Sequence, residues 1–81
     1  MLNTLIADVI QWAEDRCILE ESTVEDQAKK TMEELIELFI AFDKRDHMGE
    51  IDAYGDILVT LIIGMEINGV DMRECLGHAY S

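Results

Sequence analysis

The chain has 81 residues and a mass of 9.2 kDa, so it has room for one small domain and no second core. Six basic and eighteen acidic side chains give a net charge of −12, which excludes a sequence-independent grip on the phosphates of a nucleic acid polymer. Hydrophobic residues make up 49% of the chain, too many for an acidic disordered tail. A chain this small buries only roughly 63% of its extended surface, so we expect a partner subunit to complete the core.

Cysteine usage and hydropathy predict a cytoplasmic protein with no membrane partner. Cys17 and Cys75 are far apart and form no CxxC pattern, which is typical of reduced thiols. The first residues lack the basic region of a signal peptide. The longest apolar run, residues 57–65, is far shorter than the roughly 20 residues that span a bilayer.

The first predicted helix runs from about Thr4 to Ile18, with Asn3 as its N-cap. Trp12 and Arg16 are four residues apart and share a face of this helix, and residues 20–23 are predicted to form a polar connection. A different face carries apolar residues at helical spacing, namely Leu5, Ile6, Val9, Ile10, Ala13 and Cys17.

The second predicted helix covers Val24 to about Asp43. Either Ser22 with Glu25 or Thr23 with Asp26 can form the capping box that begins it. The face predicted to pack against the core consists of Ala28, Met32, Leu35, Ile36, Phe39 and Phe42.

A charged turn over residues 43–49 leads to a third predicted helix over residues 50–67, which is apolar almost all round. Its β-branched content also permits a strand, but its length without a turn signal favours a central helix that contacts a second subunit. Asn68 and Gly69 end it, and Asp71 with Glu74 begins a short last helix over residues 72–81. The predicted fold is a small all-α four-helix bundle in a single domain, residues 1–81, completed by oligomerisation.

Two acidic pairs point to a metal site. Glu34 and Glu37 share one face of the second helix, with Glu33 beside them. Asp52 and Asp56 share a narrow polar stripe on the third helix, which is otherwise apolar. If the two helices form an antiparallel hairpin, the pairs lie at nearly the same height. Carboxylates on a buried helix destabilise it unless a cation neutralises them, and oxygen ligands suit Mg²⁺ or Mn²⁺ rather than zinc.

These acidic residues allow other interpretations. The plainest is that residues 33–37 form a solvated helix face. A calcium-binding EF-hand beginning at Asp43 or Asp46 fails, because Arg45 or Met48 then occupies a ligand position. A carboxylate-bridged di-iron site needs Glu-x-x-His, which is absent, so His47 and His78 are expected to be exposed or capping residues.

Several motifs in order resemble one family. EELIE at 33–37 matches an EExxE signature, and DAYGDILV at 52–59 is similar to a second acidic motif in the next helix. WAEDRCI at 12–18, QAKKTMEE at 27–34 and NGVD at 68–71 are similar to the flanking segments. The chain thereby resembles the MazG-like all-α nucleoside triphosphate pyrophosphohydrolases, which are related to dimeric dUTPases, and especially their short, single-domain, phage-type members.

The chain departs from this family in two places. Ala53 stands where the family has the glutamate of an ExxD motif, and Asp52 is the acid that could replace it. The sequence stops at Ser81, where short members continue with an asparagine and basic residues that help to hold phosphates. These departures favour an alternative: a catalytically weak or inactive MazG-like helical module for dimerisation or regulation.

The resemblance implies Mg²⁺-dependent (or Mn²⁺-dependent) hydrolysis of a nucleoside triphosphate to the monophosphate and pyrophosphate. It also implies a homodimer or homotetramer, in the cytoplasm of a bacterium or a phage-infected bacterial cell. The metal ligands are then Glu34, Glu37, Asp56 and, as a fourth, Asp52, while Glu33 orients or deprotonates water. Substrate contacts are expected from Lys30, Arg16 and Trp12. The competing expectations are an ion pair of Lys30 with Glu34, one of Arg16 with Glu20, and a core position for Trp12.

Overall fold

The structure, a computed structural model that describes residues 1–81, consists of five α-helices and no strand. They are α1 (Leu2–Asp15), α2 (Ile18–Glu21), α3 (Val24–Asp43), α4 (His47–Asn68) and α5 (Met72–Tyr80). The predicted all-α class is confirmed. The helix count differs because Cys17 adopts left-handed backbone (φ 60°), which ends the first helix early and allows a separate turn of helix, α2, where a polar connection was predicted.

Side-chain caps begin α3 and α4, whereas α1 begins at Leu2 without one, so the prediction of Asn3 as its N-cap is wrong. Of the two capping boxes that the sequence allowed for α3, the structure has Thr23 with Asp26, with bonds of 3.0 and 3.2 Å. α4 begins at His47, three residues before the predicted start, because the Asp46 carboxylate accepts a hydrogen bond from the Gly49 amide. It ends at Asn68, with Gly69 as its C-cap in left-handed backbone (φ 71°), as the Asn-Gly pair predicted.

α3 and α4 form an antiparallel hairpin that dominates the fold. As the chain advances along α3, its partners move back along α4: Gln27 faces Gly64, and Thr31 faces Thr60. Ala41 reaches Gly49 at the turn end. α1 packs on α4 with α2 beside it, and α5 makes no substantial contact with another helix.

The predicted core face of α3 is wrong for the single chain. Met32, Phe39 and Phe42 are 67%, 67% and 64% exposed, and the side chains turned towards α4 are instead Gln27, Thr31, Glu34, Leu38 and Ala41. Leu5 on α1 and Cys17, which follows α1, are also exposed rather than buried. Helical periodicity identifies an apolar face, but it does not say which surface covers that face.

We call the exposed apolar surface of the hairpin the outer apolar face. It carries Met32, Leu35, Phe39 and Phe42 on α3 and Ile51, Tyr54, Leu58 and Leu61 on α4, all at least 43% exposed. The two sets have the same spacing, and because the helices are antiparallel both sets lie on one side of the hairpin. The surface area of the chain is 6375 Å², about 1,400 Å² more than a compact monomer of this mass presents.

No single helix is long and apolar enough to cross a membrane. Only α4 and α5 taken as a pair reach that length and composition, and they are bent by 102° where they meet.

Candidate functional site

The four carboxylates predicted as metal ligands line one cavity. It has a volume of about 480 Å³, and Glu34, Glu37, Asp52 and Asp56 all belong to its lining. Lys44 and the α4 cap Asp46 stand at the end of the cavity near the turn. We call it the carboxylate cavity.

The helical twist places this cavity away from the outer apolar face. Successive residues turn by about 100° around a helix, so Glu37 on α3 and Asp56 on α4, each two residues from Phe39 and Leu58 respectively, lie on the opposite flank. The antiparallel pairing brings Glu34 level with Asp56, as the distance of each residue from the turn predicted. Ala53, where the resemblance places a glutamate, is 4% exposed and lines the same cavity.

A second, larger cavity adjoins the first. It has a volume of about 720 Å³ and extends between the hairpin and the segment formed by α1 and α2. Glu34 and Asp56 line both cavities, so they stand at the junction. We call it the Trp12 cleft, and its other polar and charged lining residues include Glu21, Ser22, Asp26, Gln27, Lys29, Lys30, Glu33 and Thr60.

Electrostatic crowding is greatest at Glu34. Desolvation in the groove raises the pKa of this half-buried carboxyl group above 4.5, and the negative charges of Asp56, Glu37 and Glu33 and a hydrogen bond with Asp56 raise that pKa further. No three of the chain's His, Cys, Asp and Glu side chains are close enough, as they stand, to hold a metal ion together.

The predicted substrate-binding residues lie at or beside the Trp12 cleft. Trp12 and Lys30 line it, and the Arg16 guanidinium lies 4.7 Å from the centroid of the Trp12 ring, in cation–π contact with it, but is not part of the lining. Trp12 is 43% exposed, so it is not a core residue. Neither Arg16 nor Lys30 forms an ion pair, and the single lysine–carboxylate pair joins Lys29 and Glu25 at 3.5 Å.

Sequence reasoning missed Gln27, which is 3% exposed and lines the Trp12 cleft. It precedes Glu34 by seven residues, which is about two helical turns, so it lies on the face of α3 that contacts α4. That spacing was the available signal. His47 and His78 are exposed, as predicted, and His47 is 3.7 Å from Glu50.

Comparison with known proteins identifies one phage relative. The chain is 39% identical, over 70 residues, to an uncharacterised 18.2 kDa protein from the rep–hol intergenic region of Haemophilus phage HP1. The match covers 86% of this chain and 43% of the relative, so the chain spans less than half of that protein's length. No family model matches the chain, and no solved structure matches it significantly.

Proposed function

We propose that this chain is a Mg²⁺-dependent nucleoside triphosphate pyrophosphohydrolase, which cleaves a (d)NTP to the (d)NMP and pyrophosphate. The observation that carries the proposal is the junction at Glu34 and Asp56. On one side lies a cavity with four carboxylates, and on the other a cleft with an aromatic ring and two lysines. Four of the motifs that resemble the MazG-like family (WAEDRCI, QAKKTMEE, EELIE and DAYGDILV) contribute residues to these two cavities.

The chemistry of the carboxylate cavity suits a divalent cation. Glu34, Glu37, Asp52 and Asp56 would hold it, because hard cations such as Mg²⁺ and Mn²⁺ prefer oxygen ligands. Desolvation, followed by repulsion from Asp56 and Glu37, raises the pKa of Glu34, and a bound cation would relieve the repulsion. When bound, Mg²⁺ supplies neutralisation of phosphate charge and a more acidic water.

The residues of the Trp12 cleft account for the rest of the proposed reaction. Lys30 has no carboxylate partner and is therefore free to pair with a phosphate oxygen, as is Arg16 at the edge of the cleft. The exposed Trp12 ring can stack on a base. Glu33 lines the cleft beside the junction, where it would orient a water molecule or accept its proton.

Self-association is part of the proposal, because the outer apolar face needs a cover. Burying the excess of about 1,400 Å² on each of two chains would give a total near 2,800 Å², which falls in the range of obligate homodimers. The carboxylate cavity stays accessible in such a dimer, since it lies on the side of the hairpin away from the outer apolar face. We propose a homodimer, or a homotetramer built from it, in the cytoplasm.

The test is to incubate the protein with each (d)NTP and Mg²⁺ and to measure monophosphate and pyrophosphate. Glu37→Gln is expected to reduce turnover by at least about 100-fold, because it removes a charged cavity oxygen, while Asp8→Asn on the exposed surface of α1 leaves turnover unchanged and serves as the charge-matched control. Mg²⁺ or Mn²⁺ should raise the melting temperature of the wild type more than NaCl of equal ionic strength does. No turnover with any nucleotide and no such stabilisation would favour the alternative, a helical dimerisation or regulatory module.

A further inference from the structure

The buried amide of Gln27 has an unused hydrogen-bonding atom. Its Nε2 donates to the Ser22 hydroxyl oxygen at 3.0 Å, whereas its Oε1 is buried and has no partner. Ser22 Oγ in turn is within 3.5 Å of the Thr23 carbonyl oxygen, which leaves it free to accept from Gln27. Buried polar atoms without partners destabilise a fold and are rare in native proteins, so each one calls for an explanation.

Gln27 borders a smaller cavity of about 190 Å³ between α3 and α4 as well as the Trp12 cleft. Gln27 and its partner Ser22 both line that cleft, together with Trp12. Thr60 is the other buried polar residue in the lining, but its hydroxyl already contacts the Thr31 hydroxyl and the Ile57 carbonyl oxygen. Gln27 Oε1 is therefore the buried side-chain atom of the cleft whose hydrogen-bonding capacity is unmet.

The cleft also has two chemically distinct regions. Its acidic and basic residues, which include Lys30, Glu33 and Glu34, lead to the carboxylate cavity and suit a metal-bound phosphate chain. Trp12 supplies a flat apolar surface, and the Gln27 amide supplies a directional polar group within the same cleft. A flat ring with N–H groups at its edge matches this pair of features, and a nucleobase is such a ring.

We infer that Gln27 is a specificity-determining residue, whose Oε1 accepts a hydrogen bond from an N–H of the nucleobase that stacks on Trp12. The inference rests on the proposed function. Because Oε1 is covered in the free chain, the inference includes a rotation of the Gln27 amide towards the cleft on binding, which gives Oε1 the hydrogen bond that it lacks. A site that offers a buried hydrogen-bonding group rejects ligands that leave it unpaired, which makes Gln27 a determinant of base preference.

Trp12 is the single tryptophan of the chain and lines the cleft, so its fluorescence reports binding directly. Wild-type protein and Gln27→Leu are titrated with ATP, GTP, CTP and UTP in the presence of Mg²⁺. Leucine removes the unpaired oxygen, so the melting temperature is expected to stay level or rise, while affinity for the preferred base falls by at least about tenfold and the preference among bases flattens. Gln11→Leu on α1, the other glutamine of the chain, is the matched control.

A second measurement needs no variant. The chain has two glutamines and two asparagines (Asn3 and Asn68), so its side-chain amide signals in a ¹⁵N-correlated NMR spectrum are few and assignable. A nonhydrolysable analogue of the preferred triphosphate should shift the Gln27 amide pair and leave the Gln11 pair in place.

The outcomes separate the two proposals. If nucleotides are bound and cleaved but Gln27→Leu keeps the wild-type base preference, or the Gln27 amide signals do not move, this inference is overturned while the proposed function stands. If the wild type neither binds nor cleaves any nucleotide, both are overturned. If Gln27→Leu does not fold, the NMR result decides.

Discussion

The hydroxyl oxygens of Thr31 and Thr60 lie 2.7 Å apart and form a side-chain hydrogen bond that joins α3 to α4. Thr31 also contacts the Gln27 carbonyl oxygen at 2.9 Å, and Thr60 contacts the Ile57 carbonyl oxygen at 2.8 Å. Each hydroxyl group can donate one hydrogen bond, so two of these three contacts are hydrogen bonds at any moment and the third has no proton. The pair joins α3 to α4 beside the Trp12 cleft, which Thr60 lines.

Thr60→Val should lower the free energy of unfolding by about 1 kcal/mol, because it removes the bond between the helices but keeps the side-chain volume. Thr31 then retains the Gln27 carbonyl as its acceptor. Urea unfolding of Thr60→Val, Thr31→Val and the double variant gives the coupling energy of the pair. Additive effects of the two single changes would show that the contact contributes nothing to stability.

Gly49→Ala should destabilise the chain by about 1–3 kcal/mol, as overpacking does. A Cβ at this position would lie 2.5 Å from the Asp46 carboxylate that caps α4 and 3.2 Å from the Cβ of Ala41. Gly55→Ala in the same helix meets nothing within 4 Å and should stabilise by about 0.5–1 kcal/mol through helix propensity. Thermal unfolding of the two variants compares them, and equal effects would contradict the close packing at the turn.

Glu34→Gln should raise the melting temperature at pH 7, and the gain should disappear as the pH falls below 4.5. Folding raises the pKa of Glu34 above its ordinary value of 4.5. Between pH 4.5 and that raised pKa, the folded chain therefore binds more protons than the unfolded chain. Stability therefore falls as the pH rises through the raised pKa, and glutamine, which has no charge to lose, escapes that fall.

The matched control for this titration is Asp8→Asn, which removes one exposed charge from α1. Melting curves of the three proteins at pH 4 and pH 7, without divalent ions, make the measurement. A gain from Glu34→Gln that is the same at both pH values would contradict the electrostatic origin of the effect.

Phe39→Glu should dissociate the proposed dimer, because it places a charge at the centre of the outer apolar face. Leu76→Glu adds the same charge at an exposed apolar residue of α5, outside that face, and should leave the assembly intact. Analytical ultracentrifugation at micromolar concentration distinguishes the two. A wild type that sediments as a monomer would remove the outer apolar face as an interface between copies.

The relative positions of the acidic residues could be predicted from the sequence because they depend on local helical geometry. The spacing of Glu34 and Glu37 sets their common face, and the distances of Glu34 and Asp56 from the turn set their common height. Both quantities follow from the helical repeat, which the sequence carries directly. That these carboxylates bind a divalent cation stays a prediction.

Two features of the structure were not predicted from the sequence, for different reasons. The start of α4 at His47 depends on the Asp46 cap, a single side-chain contact that hydrophobic periodicity does not report. Gln27 looked like an ordinary polar residue at the start of α3, and its burial arises only when Gly64 of α4 packs on its side chain.

By itself, the sequence determined the all-α class, the α3–α4 hairpin and the gathering of acids at one height, because helical periodicity, caps and turn residues act over a few neighbouring residues. Tertiary structure alone decided which face of α3 meets α4. The interhelical contact uses small and polar residues such as Ala41 and Thr31, which let the helices approach closely, and leaves Phe39 outside. An apolar stripe requires a cover, but only packing between distant segments decides whether the chain itself supplies that cover.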